Sequence, residues 1–164
     1  MPITYTPIAT QTLSSNAANV TFSSISGSYT DLILVMMNKV SSGTQNTLIQ
    51  LNSDTGNNYS STFLYGNGAS ALSAIGSNNP YGYANYGSAV FTSTFNLQIV
   101  QFMNYSNTTT NKTFLARGNE AASGTDAIVN LWRSTAAIST IKVYPSAQNW
   151  ATDSTFTLYG IQAA

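Results

Sequence analysis

Apolar and polar positions alternate along this chain with a period of two, the spacing of a β-strand that buries one face. The longest such stretch is 89–104, where Phe91, Phe95, Leu97, Ile99 and Met103 share one parity and Thr92, Thr94, Asn96 and Gln98 the other. It predicts a long half-buried strand with its apolar parity toward the core. Asn19-Val20-Thr21-Phe22 alternates in the same way, and over 155–161 Phe156 and Leu158 stand against Thr155 and Thr157, so short strands are predicted near both termini. Further strands are predicted at 47–52, 59–65, 112–121, 126–133 and 139–144. Ser26-Gly27-Ser28, Ser42-Gly43, Asp54-Thr55-Gly56-Asn57, Gly66-Asn67-Gly68, Ser123-Gly124-Thr125 and Pro145-Ser146 separate these runs as turns. No segment reads as a capped amphipathic helix. About eight to ten strands without βαβ alternation predict an all-β fold, an antiparallel β-sandwich with jelly-roll-like winding.

Two stretches are apolar on both parities. In 31–40, Leu32, Leu34 and Met36 oppose Ile33, Val35 and Met37; in 126–133, Ile128 and Trp132 oppose Val129 and Leu131. A strand apolar on both faces needs cover on both, from a loop of its own chain or from another subunit. The stretch 66–88 has no period at all and reads as a long loop containing Asn78-Asn79-Pro80-Tyr81-Gly82-Tyr83-Ala84-Asn85-Tyr86-Gly87. Loops of that length tend to be functional, and Tyr, Gly, Ser and Asn suit adaptable contacts. Tyr81, Tyr83 and Tyr86 are therefore candidate partner contacts, alternatively tyrosines packed on the sandwich. Trp132 and Arg133, at the end of a doubly apolar strand, are a second candidate contact.

Composition narrows the chemistry. At 164 residues the chain is sized for one domain, 1–164, and its 43% hydrophobic content is that of a folding chain. Five acidic and five basic residues balance, His and Cys are absent, and 22 Ser, 22 Thr and 18 Asn supply the polarity. Near-neutral acid-base chemistry usually needs His, and zinc or transition metals want His or Cys, so no catalytic residue, cofactor or metal is expected. Glu120 and Asp126 are the closest carboxylates in sequence and the best remaining acid-base pair, for hydrolysis of a polysaccharide. Asn52-Ser53-Asp54-Thr55-Gly56-Asn57-Asn58 has the oxygens of half a calcium loop but no closing Glu, and reads as a structural turn. Zero net charge without a basic cluster argues against nucleic acid. No apolar run reaches a membrane span, and the start lacks a basic and then an apolar region, which predicts a soluble chain made without a leader. The absence of cysteine fits assembly in a reducing cytoplasm. Five Asn-x-Ser/Thr triplets occur, about the number that chance gives at this composition.

Three segments resemble small virion structural proteins of tailed bacteriophages, especially marine ones. These are Leu51-Asn52-Ser53-Asp54-Thr55-Gly56-Asn57-Asn58-Tyr59-Ser60 with Leu64-Tyr65-Gly66-Asn67-Gly68, then Leu131-Trp132-Arg133-Ser134-Thr135-Ala136-Ala137-Ile138, then Ser154-Thr155-Phe156-Thr157-Leu158-Tyr159-Gly160-Ile161. The likeness is of strand-and-turn motifs and supplies no active-site residue. It implies a β-sandwich of the virion, assembled in the host cytoplasm. The expected role is a capsid decoration or cement protein on the outside of the shell, with the major capsid protein and copies of itself, as a homotrimer, for partners. The alternative is a tail-fibre or tail-tip adhesin holding host glycan through Tyr81, Tyr83, Tyr86 or Trp150.

Overall fold

A computed structural model describes residues 4–87 and 90–162; Ser88 and Ala89, which end the expected loop and begin the expected long strand, lie outside them. Twelve strands and no helix occur among the described residues: β1 (Tyr5–Thr12), β2 (Val20–Phe22), β3 (Asp31–Asn38), β4 (Thr47–Leu51), β5 (Tyr59–Gly66), β6 (Ala71–Asn79), β7 (Gly82–Tyr83), β8 (Asn96–Phe102), β9 (Lys112–Glu120), β10 (Gly124–Trp132), β11 (Ile141–Pro145) and β12 (Thr155–Ile161). They form an eight-stranded sheet, β1-β12-β3-β8-β9-β10-β5-β6, and a four-stranded sheet, β2-β11-β4-β7. Every pairing is antiparallel. The chain is an antiparallel β-sandwich. Its winding is jelly-roll-like, because β1 pairs β12 in the large sheet as β2 pairs β11 in the small one, and β3–β8 and β4–β7 repeat the arrangement inside.

The two inner faces share one core. Leu32, Leu34 and Met36 of β3, Val100 and Phe102 of β8, Phe114 of β9 and Phe156 and Leu158 of β12 meet Ile49 and Leu51 of β4 and Ile141 and Val143 of β11. Trp150, read as a glycan contact, is fully buried among them, its ring centroid 5.5 Å from that of Phe156.

The expected strand at 89–104 is corrected in length and in facing. Only Asn96–Phe102 forms a strand, and Leu97 and Met103 point outward while Asn96 and Gln98 are buried. From Ile99 onward both parities are apolar, so alternation does not decide the facing. Pairing Leu34 with Val100 and Leu32 with Phe102 sets two large side chains in the core, and the same register carries Asn96 and Gln98 inward beside Asn38.

The loop expected over 66–88 is also overturned, since 71–79 of it form the nine-residue strand β6 and 82–83 the short β7. Strand β6 lies at the edge of the large sheet with six of its nine residues exposed, so no alternation of burial marks it. Strand β1 escaped notice for a related reason: it contains Pro7, tolerated in a sheet at an edge, and its register shifts between Pro7 and Ala9.

Candidate interaction surface

Among the described residues, the outer face of the large sheet gathers most of the exposed large apolar side chains, Met37, Leu64, Leu97, Leu115 and Val129 among them. Alternation along each strand sends one side chain in and the next out; on β3 both sets are largely apolar, and β8, β9 and β10 turn Leu97, Ile99, Leu115, Ala127, Val129 and Leu131 outward. One cross-strand row runs Leu64, Ala127, Arg117, Ile99, Val35; the next runs Val129, Leu115, Gln101, Ile33. The small Ala127 between Leu64 and Arg117 lowers the surface, opening a groove of about 560 Å³ whose lining includes Leu64, Leu115, Arg117 and Val129. No described segment lies over this face: Met37 is 52% exposed and Val129 49%. Of the two covers that the doubly apolar strands call for, a loop of the same chain is not the one found. Arg117 is the one charged side chain in the two rows, and sequence reasoning missed it together with the groove. The period-two outward parity of β9 and β10, read across the pairing, was the signal that could have found them.

The tyrosines lie elsewhere, at the junction of the two sheets. Asn130, buried on β10, accepts from the backbone N–H of Tyr83 at 2.9 Å and from Ser61 Oγ at 2.7 Å, and donates to the Tyr83 carbonyl at 3.0 Å. Gly82 makes this approach possible, because a Cβ there would fall 2.4 Å from Cζ of Phe114. Asp126 then fixes the next turn, accepting from the backbone N–H groups of Tyr86 at 3.1 Å and Gly87 at 2.8 Å. The rings gather on Phe63, with Tyr86 stacked at 4.2 Å and Tyr83 edge-on at 5.1 Å, and Tyr81 sits edge-on to Tyr83 at 5.3 Å. Burial first, and then Tyr81, push the Tyr83 phenol well above its ordinary range. Tyr86 is 37% exposed, while Tyr81 and Tyr83 are half-buried. The structure therefore brings the three together as a cluster packed on Phe63, with Tyr86 at its exposed rim.

Trp132 is corrected from partner contact to core. It is 2% exposed, stacks on Tyr59 at 6.3 Å and donates its indole N–H to Asp54 Oδ2 at 2.7 Å. Arg133, next in sequence, is exposed and donates to Ser60 Oγ, so only it remains on the surface. The turn that looked like half a calcium loop spends its carboxylate on this packing: Asp54 also accepts from Gly56 N–H at 2.8 Å and from Asn58 Nδ2 at 2.9 Å. Glu120 is similarly engaged, accepting from Thr94 Oγ1 at 2.7 Å and Ala122 N–H at 3.3 Å. Glu120 and Asp126 are both buried on the inner side of the β9–β10 hairpin. No group of three or more His, Cys, Asp or Glu that could hold a metal occurs among the described residues.

These contacts set the pH range of stability. Burial works against the charged form of Asp54, but the bonds from Trp132, Asn58 and Gly56 outweigh it and hold the carboxyl below its ordinary value. A depressed carboxyl contributes stability above its unfolded pKa of about 4 and loses it as pH falls through the folded value. At the other end burial raises Tyr59 and Tyr83, and pushes Tyr144 up to about 12. Their contribution is complete below the unfolded pKa of about 10 and lost as pH rises through the folded values. Thermal melts across pH should show a plateau with an acid and an alkaline fall. Asp54→Asn should flatten the acid limb, and an unchanged limb would remove Asp54 from the account.

No protein family and no curated protein matches the chain in sequence. Among solved structures, a galectin, LEC-6, of Caenorhabditis elegans is similar with a TM-score of 0.34 and 10% identity, covering 94% of this chain and 96% of that one. The alginate lyase Aly36B is similar at 0.34 and 8%, covering 93% of this chain and 77% of that one. A scytalido-glutamic peptidase is similar at 0.31 and 11%, covering 91% and 66%. Values this low transfer no substrate or activity, and the β-sandwich rests on the chain's own two sheets.

Proposed function

We propose that this chain is a non-enzymatic structural protein that works by burying the outer face of its eight-stranded sheet against a larger assembly, as a decoration protein on the outside of a phage capsid. The observation that carries the reading is the uncovered apolar face: Met37, Leu64, Leu97, Leu115 and Val129 are all exposed on it. Contiguous apolar surface of this kind marks a docking site more often than a free monomer surface. The motif likeness to virion proteins supports the particle, and the low charge suits contacts that vary little with ionic strength. The carboxylates that an enzyme reading would use are already engaged in holding turns.

A double charge insertion on exposed positions tests it. Leu97→Lys with Val129→Lys should leave the circular dichroism spectrum and melting point near those of the parent, since both side chains are solvent-facing. Co-sedimentation with undecorated capsid shells should weaken by about a hundredfold or more, because two ammonium groups would be desolvated in the contact. Full retention of shell binding overturns the reading, and loss of binding to host cells with shell binding intact replaces it with the adhesin.

A further inference from the structure

We propose that β6 pairs edge to edge with β6 of a second copy, joining two eight-stranded sheets into one continuous sheet across a two-fold axis. A sheet edge carries a row of unpaired N–H and C=O groups that templates another strand unless it is short, charged, broken by proline or bulged. The sandwich has four such edges, at β1, β6, β2 and β7. Strands β2 and β7 are three and two residues long, too short to template a partner. Strand β1 contains Pro7, which has no N–H to give, and an irregular register between Pro7 and Ala9. Strand β6 is nine residues long, holds no proline and no charge, and is hydrogen-bonded on one side to β5.

Its chemistry suits a copy of itself. No charged residue stands between Asp54 and Lys112, so β6 meets β6 without like-charge repulsion. Ile75 is 76% exposed, the most exposed of the large apolar side chains among the described residues. It lies across from Thr62 on β5 and has open solvent where a further strand would lie. An antiparallel pairing that sets Ile75 opposite Ile75 also sets Ala74 opposite Gly76 and Ser73 opposite Ser77. Small residues then flank the central pair, and the two isoleucines cover each other. The register shift between β5 and β6 near Ser60, with Asn78 at φ 56°, turns the strand away beyond that stretch and ends the pairing. This arrangement is two-fold rather than the trimer expected from sequence, because a three-fold ring needs β6 to meet a different edge and the others are short or guarded. It concerns the backbone edge of β6, although the Ile75 side chain, across from Thr62 and Val129, ends one of the outer-face rows; it does not rest on the capsid reading.

The absence of cysteine makes a clean test possible. The 164-residue chain in sedimentation velocity should show a dimer in the range of tens of micromolar. Ile75→Lys should weaken dimerisation by about a hundredfold, as a lysine on an edge strand opposes pairing, while leaving the melting point of the monomer unchanged. Directly opposed positions bring their Cβ atoms to about 5 Å, close enough for a disulfide after small adjustment. Ile75→Cys should therefore give a covalent dimer on mild oxidation, and Val129→Cys on the outer face should not. A parent that stays monomeric at about 100 µM, a trimer, a dimer that survives Ile75→Lys, or equal cross-linking at Val129→Cys would each overturn the proposal. Shell binding of the Leu97→Lys, Val129→Lys protein is read separately, so failure of one idea is not failure of the other.

Discussion

Trp150→Ala is expected to destabilise the fold by about 3 to 5 kcal/mol, the range for truncating a fully buried aromatic. Trp150 stands outside the named strands, yet it is bridged on one side to Ala17 and on the other to Val40. Its backbone exchanges hydrogen bonds with Ala17 at 2.8 and 3.1 Å. The ring packs on Phe156, and the indole N–H reaches the Val143 carbonyl at 3.4 Å, on a strand of the other sheet. One side chain thus ties both sheets and the segment that links β11 to β12. At about 2 to 4 °C per kcal/mol for a chain of this size, the melting point should fall by roughly 6 to 20 °C. Trp150→Phe should recover a good part of that loss, since it keeps most of the buried area. A fall of less than about 3 °C in Trp150→Ala would show that the site collapses around the missing ring and that the packing account is wrong.

The fold was legible wherever a strand has one clearly buried face or two clearly apolar ones. Strand β12 was expected at the bounds it has, and β2, β4, β5, β9, β10 and β11 within a few residues, because their inward parity carries residues such as Phe22, Ile49, Phe63, Phe114, Ile128 and Val143. Legibility failed where burial and alternation part company. Strand β6 exposes residues of both parities at a sheet edge, so Ala71, Leu72 and Ser73 carry no periodic signal. Strand β8 offers apolar residues on both parities, and the choice falls to Phe102, which is larger than any outward alternative and packs 5.2 Å from Phe114. Pairings distant in sequence were equally invisible: the partner of the Trp132 indole is Asp54, 78 positions away, and nothing local to Trp132 tells a core anchor from an interface anchor. The doubly apolar strands were different. Their pattern correctly demanded an explanation for the outer face, and only the assembled sheet could show that no described loop supplies it.

The tyrosine cluster gives the other large effect, because its rings pack on the body of the protein. As a surface loop, 81–86 could lose Tyr81, Tyr83 and Tyr86 with the fold intact; as a cluster seated on Phe63, it cannot. Tyr83 packs against the core and Tyr86 stacks on Phe63, while Tyr65 meets Tyr86 edge-on at 5.6 Å. Half-buried aromatics lose about half of what a fully buried one does, so three truncations sum to about 5 kcal/mol before coupling between rings in contact. That is a large share of the roughly 5 to 15 kcal/mol that holds a domain together. The loss falls on β7, which joins the small sheet through only two residue pairs, Leu48 with Tyr83 and Ile49 with Gly82. Once the rings are gone, 82–87 is held by hydrogen bonds alone, those from Asn130 and Asp126 and those to β4, including Ala84 N–H to the Thr47 carbonyl at 2.9 Å. The triple alanine protein should therefore melt at least about 10 °C below the parent, and amide exchange should quicken first at Gly82, Tyr83, Tyr86 and Gly87. Tyr86→Ala alone, at the most exposed of the three rings, should cost only about 1 to 2 kcal/mol. If the triple variant instead melts with the parent and loses only its binding to shells or cells, the rings belong to a contact surface and the cluster is incidental to the fold.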